Sequence, residues 1–446
     1  MSSAVLIPSA QLMQEMADGT IKQVNPFSGT EVWTVPGRGH RPLGISHPDP
    51  QPLRTDDQGR WCAFCEQRYL ETPPEKSRLV REGDHWRQLD GVGADHLHDT
   101  VAEFRRIPNL FEIVSYDYWS RNYGYQMPAD LQRRMDDYLA TTVGRDHVLR
   151  IVQTRMRAAG LNNSDWAALT EDERRAQAAG FFGGGHDVIV ARRHFADGAY
   201  DDTGLASSGT LTPEEHYRYM TFTVDAMKRL YAANRYVRYV AAFQNWLKPA
   251  GASFDHLHKQ LVAIDERGVN NELEIERIRA NPNLYNEAAV NYAGYHNLVV
   301  AENDHAVAFA GFGHRYPTLE VYSKSAAAVP WKATDEEVRA MSDLLHACHA
   351  ATGVDVPSNE EWYHRPIDVL EPMPWRIMLK WRVSNLAGFE GGTKIYLNTL
   401  SPTTVRDRVV PRLYELRDRG RIAPMRIATE AKCEPNSLRY IEQLRH

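Results

Sequence analysis

The most regular alternation of apolar and polar positions begins near residue 183. His186–Ala191 reads as a strand, and from Pro213 onward Met220, Val224, Met227 and Tyr231 fall on one face of a helix. The start of that helix is explicit: Thr212 is an N-cap, Pro213 takes the first helical position, and Glu215 closes a capping box. Tyr236–Phe243 and Gln260–Ile264 read as the strands that follow. The succession recurs downstream. Asn297–Ala301 and Ala306–Phe309 read as strands, Thr334 and Glu337 open a second capped helix through His349, and Ile377–Val383 reads as a further strand. Two strand–helix–strand halves predict an internal duplication, divided into residues 1–270 and 271–446.

Upstream the pattern is weaker. Turns at Asn25-Pro26 and Ser28-Gly29 precede a short strand over Glu31–Val35, and a basic loop follows, Gly37-Arg38-Gly39-His40-Arg41-Pro42. Leu131–Met156 and Asp165–Ala179 have helical spacing. Glu66–Thr100 is polar, charged and Pro-containing, and reads as a loop or insertion. A second insertion spans Trp119–Ala178.

Composition narrows the function classes. The 446 residues carry 52 Lys+Arg against 58 Asp+Glu, a net charge of −6, with 43% hydrophobic and 25% charged residues. That balance is globular and mildly acidic, which excludes disorder, a fibrous repeat or a polybasic nucleic-acid binder. No run approaches the ~18 apolar residues of a membrane helix, and the N-terminus lacks a basic leader region. No membrane and no nucleic-acid partner is expected, and the location expected is cytoplasmic. The four cysteines, Cys62, Cys65, Cys348 and Cys433, are too few for a disulfide framework. The close pair Cys62 and Cys65 points to metal or redox chemistry, with unligated surface thiols as the competing reading.

His-x-His occurs twice. In Asp95-His96-Leu97-His98 the surroundings are charged and lack a strand signal, so a polar surface or satisfied histidines explains it. In Asn245-Trp-Leu-Lys-Pro-Ala-Gly-Ala-Ser253-Phe-Asp-His256-Leu-His258-Lys-Gln260 the pair follows a turn and leads into an apolar run. If that segment is extended, His256, His258 and Gln260 share one face. This arrangement resembles the galactose-1-phosphate uridylyltransferase branch of the histidine-triad (HIT) superfamily, whose members carry H-x-H-x-Q.

Further segments are similar to the same branch, in the same order. Val24-Asn-Pro-Phe-Ser-Gly-Thr-Glu-Val-Trp is followed by Arg38 and Arg41-Pro42, then by Trp61-Cys62-Ala-Phe-Cys65, Pro108-Asn109-Leu-Phe111, Gly185-His186-Asp-Val through His194, and Gly388-Phe389-Glu390. The family's Ser-Pro before the last histidine is replaced here by Ala191-Arg192-Arg193.

The resemblance implies an α+β fold of two HIT-like halves, each a mostly antiparallel sheet with packed helices. It implies a nucleotidyltransferase acting between a nucleoside-diphosphate sugar and a sugar 1-phosphate or phosphate. His258 would attack the α-phosphorus, and Gln260 would donate a hydrogen bond to a non-bridging oxygen. Arg38, Arg41, Ser253 and Asn245 would meet phosphoryl charge, Asn109 and Phe111 the nucleoside, and Glu390 the sugar. Lys394 is either a phosphate contact or a solvated loop lysine. Cys62, Cys65, His194 and His256 map onto the structural zinc ligands of some members. A second metal found in many members is not expected, because Met373-Pro374-Trp375-Arg376 stands where its histidines would be. His346 and His349 do not replace them and read as surface or core residues. A homodimer is expected by the same resemblance. A nucleotidyl hydrolase and a catalytically retired nucleotide-binding protein are the alternatives, and Gln260 disfavours the first.

Overall fold

The fold is that of a computed structural model, which describes residues 7–37, 42–383 and 387–445. In chain order the strands are β1 (Met13–Glu15), β2 (Ile21–Val24), β3 (Glu31–Thr34), β4 (Ser77–Glu82), β5 (His85–Asp90), β6 (Ala102–Pro108), β7 (His186–Ala191) and β8 (Tyr239–Trp246). There follow β9 (His258–Ile264), β10 (Val299–Glu302), β11 (Ala306–Ala310), β12 (Thr318–Ser323), β13 (Ser358–Tyr363), β14 (Arg376–Trp381), β15 (Ile395–Asn398) and β16 (Arg426–Ile427). Among the described residues, twelve strands form one sheet in the order β16-β10-β11-β12-β14-β13-β8-β9-β7-β6-β4-β5, and every neighbouring pair in it is antiparallel. β1, β2, β3 and β15 make a smaller sheet, which touches the second half at Gly313. Gly313 has φ +66°, and a Cβ there would lie 2.2 Å from the Asn25 backbone nitrogen, so only glycine lets the two sheets meet so closely.

The repeat legible in the sequence is a repeat of topology. β6 and β7, the Pro213–Ala233 helix, then β8 and β9 lie in the order β6-β7-β9-β8. β11 and β12, the Asp335–Thr352 helix, then β13 and β14 lie in the order β11-β12-β14-β13. The two halves share one continuous sheet, because the edge strands β8 and β13 pair with each other and so satisfy backbone groups that either half alone would expose. Both long helices begin with the expected capping boxes and pack on one another over the sheet. Met220, Met227, Leu230, Met341, Leu344 and Leu345 are among the side chains they bury.

Several boundaries differ from the sequence reading. Leu131–Met156 is two helices, Ala129–Ala140 and Thr142–Ala158, because Thr141 is extended and caps the second by accepting from the Gly144 N–H. Asp165–Ala179 is likewise interrupted, since Thr170 and Glu173 form a new capping box inside it. Glu66–Thr100 is not a loop: it contains the β4–β5 hairpin, the outer edge of the sheet, turning at Gly83 with φ +63°. β8 starts three residues late because Asn234 accepts from the Tyr236 N–H and turns the chain. β10 starts at Val299, after Asn297 in a left-handed conformation.

A buried polar network joins the halves behind β9. Lys259 Nζ lies 2.6 Å from Glu360 Oε1, His349 Nε2 lies 2.7 Å from Glu360 Oε2, and Trp362 Nε1 donates to the same carboxylate at 2.5 Å. Burial alone would raise the Glu360 carboxyl, but the Lys259 ammonium and His349 hold it well below the usual carboxylate range. His349 and His346 are thus bonded core residues, while His96 is exposed at a surface turn. Because Lys259 and Glu360 are wholly buried, removing one partner strands a charge. Urea unfolding of Lys259→Met should show a loss of about 3–5 kcal/mol, part of which Lys259→Met/Glu360→Gln regains.

Candidate active site

β9 begins at His258, so the period-two argument holds for His258 and Gln260 but not for His256. The segment reaches that strand through a reversal at Leu247 (φ 65°) and Gly251 (φ 90°). The His258 ring is fixed from two sides. Its Nδ1–H donates to the His256 carbonyl at 2.7 Å, and Phe64 stands against it edge to face, with centroids 5.2 Å apart. With the proton held on Nδ1, Nε2 carries the lone pair, and no hydrogen bond among the described residues engages it. Burial lowers the imidazole pKa to about 4, so the ring is neutral near pH 7.

Gln260 sits beside Phe243 on β8 and Val188 on β7. Its Oε1 receives Asn109 Nδ2 at 3.2 Å and lies 3.1 Å from His186 Nε2. Asn109, at the end of β6, is itself held by the Phe111 N–H, which donates to Asn109 Oδ1 at 2.9 Å. Phe111 extends into solvent with 59% of its surface exposed. Asn245 lies on β8, where its Oδ1 accepts from Asn359 Nδ2 at 2.7 Å. On the same sheet face a cleft of about 660 Å³ runs along β8 and β13, lined by Asn245, Asn359, Glu361, Tyr363 and Arg382 among others.

Beside this face Cys62, Cys65, His194 and His256 converge. The sulfurs are 3.9 Å apart, the two histidine Nδ1 atoms 3.2 Å, and the four sulfur–nitrogen distances run from 3.4 to 3.8 Å. A tetrahedral zinc with ordinary bond lengths needs edges of about 3.8, 3.3 and 3.6 Å respectively. The four residues therefore fit a metal, with no fifth protein ligand required. His256 Nε2–H donates to the Ala191 carbonyl at 2.6 Å, which leaves Nδ1 as the inward lone pair. The Cys62 hydrogen bond, with the two imidazoles, holds the Cys65 thiol far below its ordinary pKa. Cys62 and Cys65 are free and buried, which removes the surface-thiol reading. The loop between them carries Phe64, so the cluster and the His258 ring are mechanically joined.

Other expected site residues are less engaged. Ser253 is exposed in the turn before His256. Glu390 lies in the short Gly388–Thr393 helix, where its Oε2 accepts from the Ala387 N–H and so closes its own first turn. It belongs to the neighbourhood of the small sheet, and no hydrogen bond or ion pair among the described residues joins it to His258 or Gln260. Lys394 is exposed at the end of that helix in a left-handed conformation. Arg38 and Arg41 lie outside the described residues. Arg376, at the first position of β14, is buried and paired with Glu274. Sequence reasoning missed His186 and Phe64 as parts of the site. Gly185-His186 was visible as a motif, but nothing in it tells which atom the ring would touch.

A family model described as a domain of unknown function, DUF4921, matches residues 16–440. The chain belongs to the DUF4921 family. No curated protein matches this DUF4921 chain. Among solved structures, an ADP-glucose phosphorylase from Arabidopsis thaliana with bound ADP-glucose superposes with a TM-score of 0.56 at 18% identity, covering 88% of this chain and 98% of the other. A GalT-like protein from the same plant gives 0.54 and 18%, with 87% and 98% covered. At this identity the likeness is one of fold, and the fold is the one the sequence resemblance implies for this DUF4921 member. No helix among its described residues is long and apolar enough to cross a membrane.

Proposed function

We propose that the protein is a nucleotidyltransferase that passes a nucleoside monophosphate between a nucleoside-diphosphate sugar and phosphate or a sugar 1-phosphate, through a covalent intermediate on His258. The observation that carries this reading is the buried His258 ring, held through Nδ1 by the His256 carbonyl at the start of β9, with Gln260 two residues further along the same strand. In the first step the Nε2 lone pair bonds to the α-phosphorus while the bond from that phosphorus to the bridging oxygen breaks, releasing sugar 1-phosphate. In the second step an oxygen of the acceptor phosphate bonds to the same phosphorus, and the P–N bond breaks to restore the imidazole.

The leaving group is a stable anion and needs no general acid. Gln260 supplies an N–H to a non-bridging oxygen instead, which disfavours the hydrolase alternative. Arg38 and Arg41 would neutralise the remaining charge, with Ser253 and Asn245 as neutral donors, and Phe111, exposed beside Asn109, would stack on the base. The cleft along β8 and β13 gives the sugar room next to Asn245. Zinc bound by Cys62, Cys65, His194 and His256 would be structural, holding the Phe64 loop and the chain leading into His258. Glu390 as a sugar contact, a homodimer and a cytoplasmic location complete the reading by resemblance.

The phosphorylase likeness favours inorganic phosphate as acceptor. With ADP-glucose and other nucleoside-diphosphate sugars, phosphate should yield the nucleoside diphosphate and sugar 1-phosphate in equal amounts. Release of nucleoside monophosphate without any acceptor would instead establish a hydrolase.

A further inference from the structure

We propose that His186 is a positioning residue for this transfer: it fixes the Gln260 side chain so that the amide NH₂, and not the carbonyl, faces the transferring phosphoryl group. The inference rests on the nucleotidyltransferase reading of the site.

The direction of each hydrogen bond follows from two backbone donors. The Ile113 N–H donates to His186 Nδ1 at 3.2 Å, so Nδ1 holds a lone pair and the proton of the neutral ring is on Nε2. The Phe111 N–H donates to Asn109 Oδ1 at 2.9 Å, so the Nδ2 end of that amide is the donor. His186 Nε2–H and Asn109 Nδ2–H then converge on one atom, Gln260 Oε1, at 3.1 and 3.2 Å; the 3.1 Å between those two nitrogens is an approach of two donors, since an Asn109 hydrogen bond to Nε2 would put the ring proton on Nδ1 against the Ile113 N–H. The reverse orientation of Gln260 would set its NH₂ against two donors with no acceptor among them. The loop Asn109–Ile113 thus determines, through His186 and Asn109, which end of Gln260 points outward. Among the described residues no hydrogen bond engages the Gln260 NH₂, and in this reading its N–H groups serve the substrate.

His186 is suited to this task because it is buried at the first position of β7, two residues from Val188, which pairs with Gln260. Burial lowers its pKa, so the ring stays neutral and Nδ1 remains an acceptor. It stands behind Gln260 and is not assigned a phosphoryl contact, so it acts through that residue.

The test is a set of four variants in single-turnover nucleotidyl transfer, with far-UV circular dichroism and metal content as checks on folding. His186→Leu should lower the transfer rate by about 10–100-fold while the donor KM moves by less than about threefold. His186→Gln, which can keep a donor near the same place, should recover most of that loss. His186→Leu/Gln260→Ala should be no slower than Gln260→Ala alone, because the histidine has nothing to act through once Gln260 is removed. Losses that multiply in the double variant, or an undiminished rate in His186→Leu, would overturn the proposal and leave the reading of the site intact. An unmodified protein that transfers nothing from any donor would remove both. Nitrogen-15 NMR of the His186 ring gives a check independent of activity: the expected tautomer carries its proton on Nε2, and a proton on Nδ1 would overturn the proposal whatever the kinetics.

Discussion

Turnover in His258→Asn falls on the order of 10⁴-fold or more, while circular dichroism and metal content stay as they are. The asparagine amide has no basic lone pair that could bond to phosphorus, so the covalent route is closed and not merely slowed. Folding survives because little depends on the ring itself. Among the described residues His258 makes one side-chain hydrogen bond, to the His256 carbonyl, and a ring contact with Phe64. An asparagine Nδ2 can take over the donor role of Nδ1. Nucleotide affinity should change little, because Asn109 and Phe111 lie on a separate loop. Normal turnover in this variant would remove His258 as the nucleophile.

The second large effect concerns the metal. Cys62→Ser should bring the zinc content of the purified protein close to zero and lower the melting temperature by on the order of 10 °C. Four side chains from three separate parts of the chain, residues 62–65, 194 and 256, converge within hydrogen-bonding distance of one another. Without an ion to draw thiolate and imidazole lone pairs together, these buried groups face one another with too few protons to pair them. Activity should decline with the metal, because both the Phe64 edge and the His256 carbonyl that orient His258 belong to the cluster. Metal analysis and a thermal melt decide it: an unchanged zinc content in Cys62→Ser would sink the assignment.

What could be read in advance was whatever local chemistry writes into neighbouring residues. The helix at Pro213 carries its cap, its proline and its apolar face within one segment, and the structure places Thr212 and Glu215 in the expected reciprocal bonds. The spacing of His258 and Gln260 requires only that β9 be extended, and the resemblance brought Cys62 and Cys65 to the histidines 132 and 194 positions away from Cys62. Long-range partners were another matter. Lys259 between His258 and Gln260 looks like a solvated lysine until β13 delivers Glu360 to it. β5 is polar because it is the sheet's edge strand and alternates toward water, while Arg78 of β4 is buried against Glu75, so a polarity test takes both strands for a loop. His186 was hidden for a different reason: its meaning lies in the direction of hydrogen bonds set by the Ile113 and Phe111 N–H groups, and no periodicity encodes that.

The central claim is the bond between His258 and a nucleotide, and intact-protein mass spectrometry tests it most directly. The protein is incubated with ADP-, UDP-, GDP-, CDP- and dTDP-sugars in turn, without acceptor, and its mass is read before and after mild acid. The account predicts a gain of one nucleoside monophosphate with one of these donors, lost in acid, discharged by phosphate or a sugar 1-phosphate, and missing from His258→Asn. An adduct that persists in His258→Asn, or release of sugar 1-phosphate from an unmodified protein that never gains mass, would contradict it.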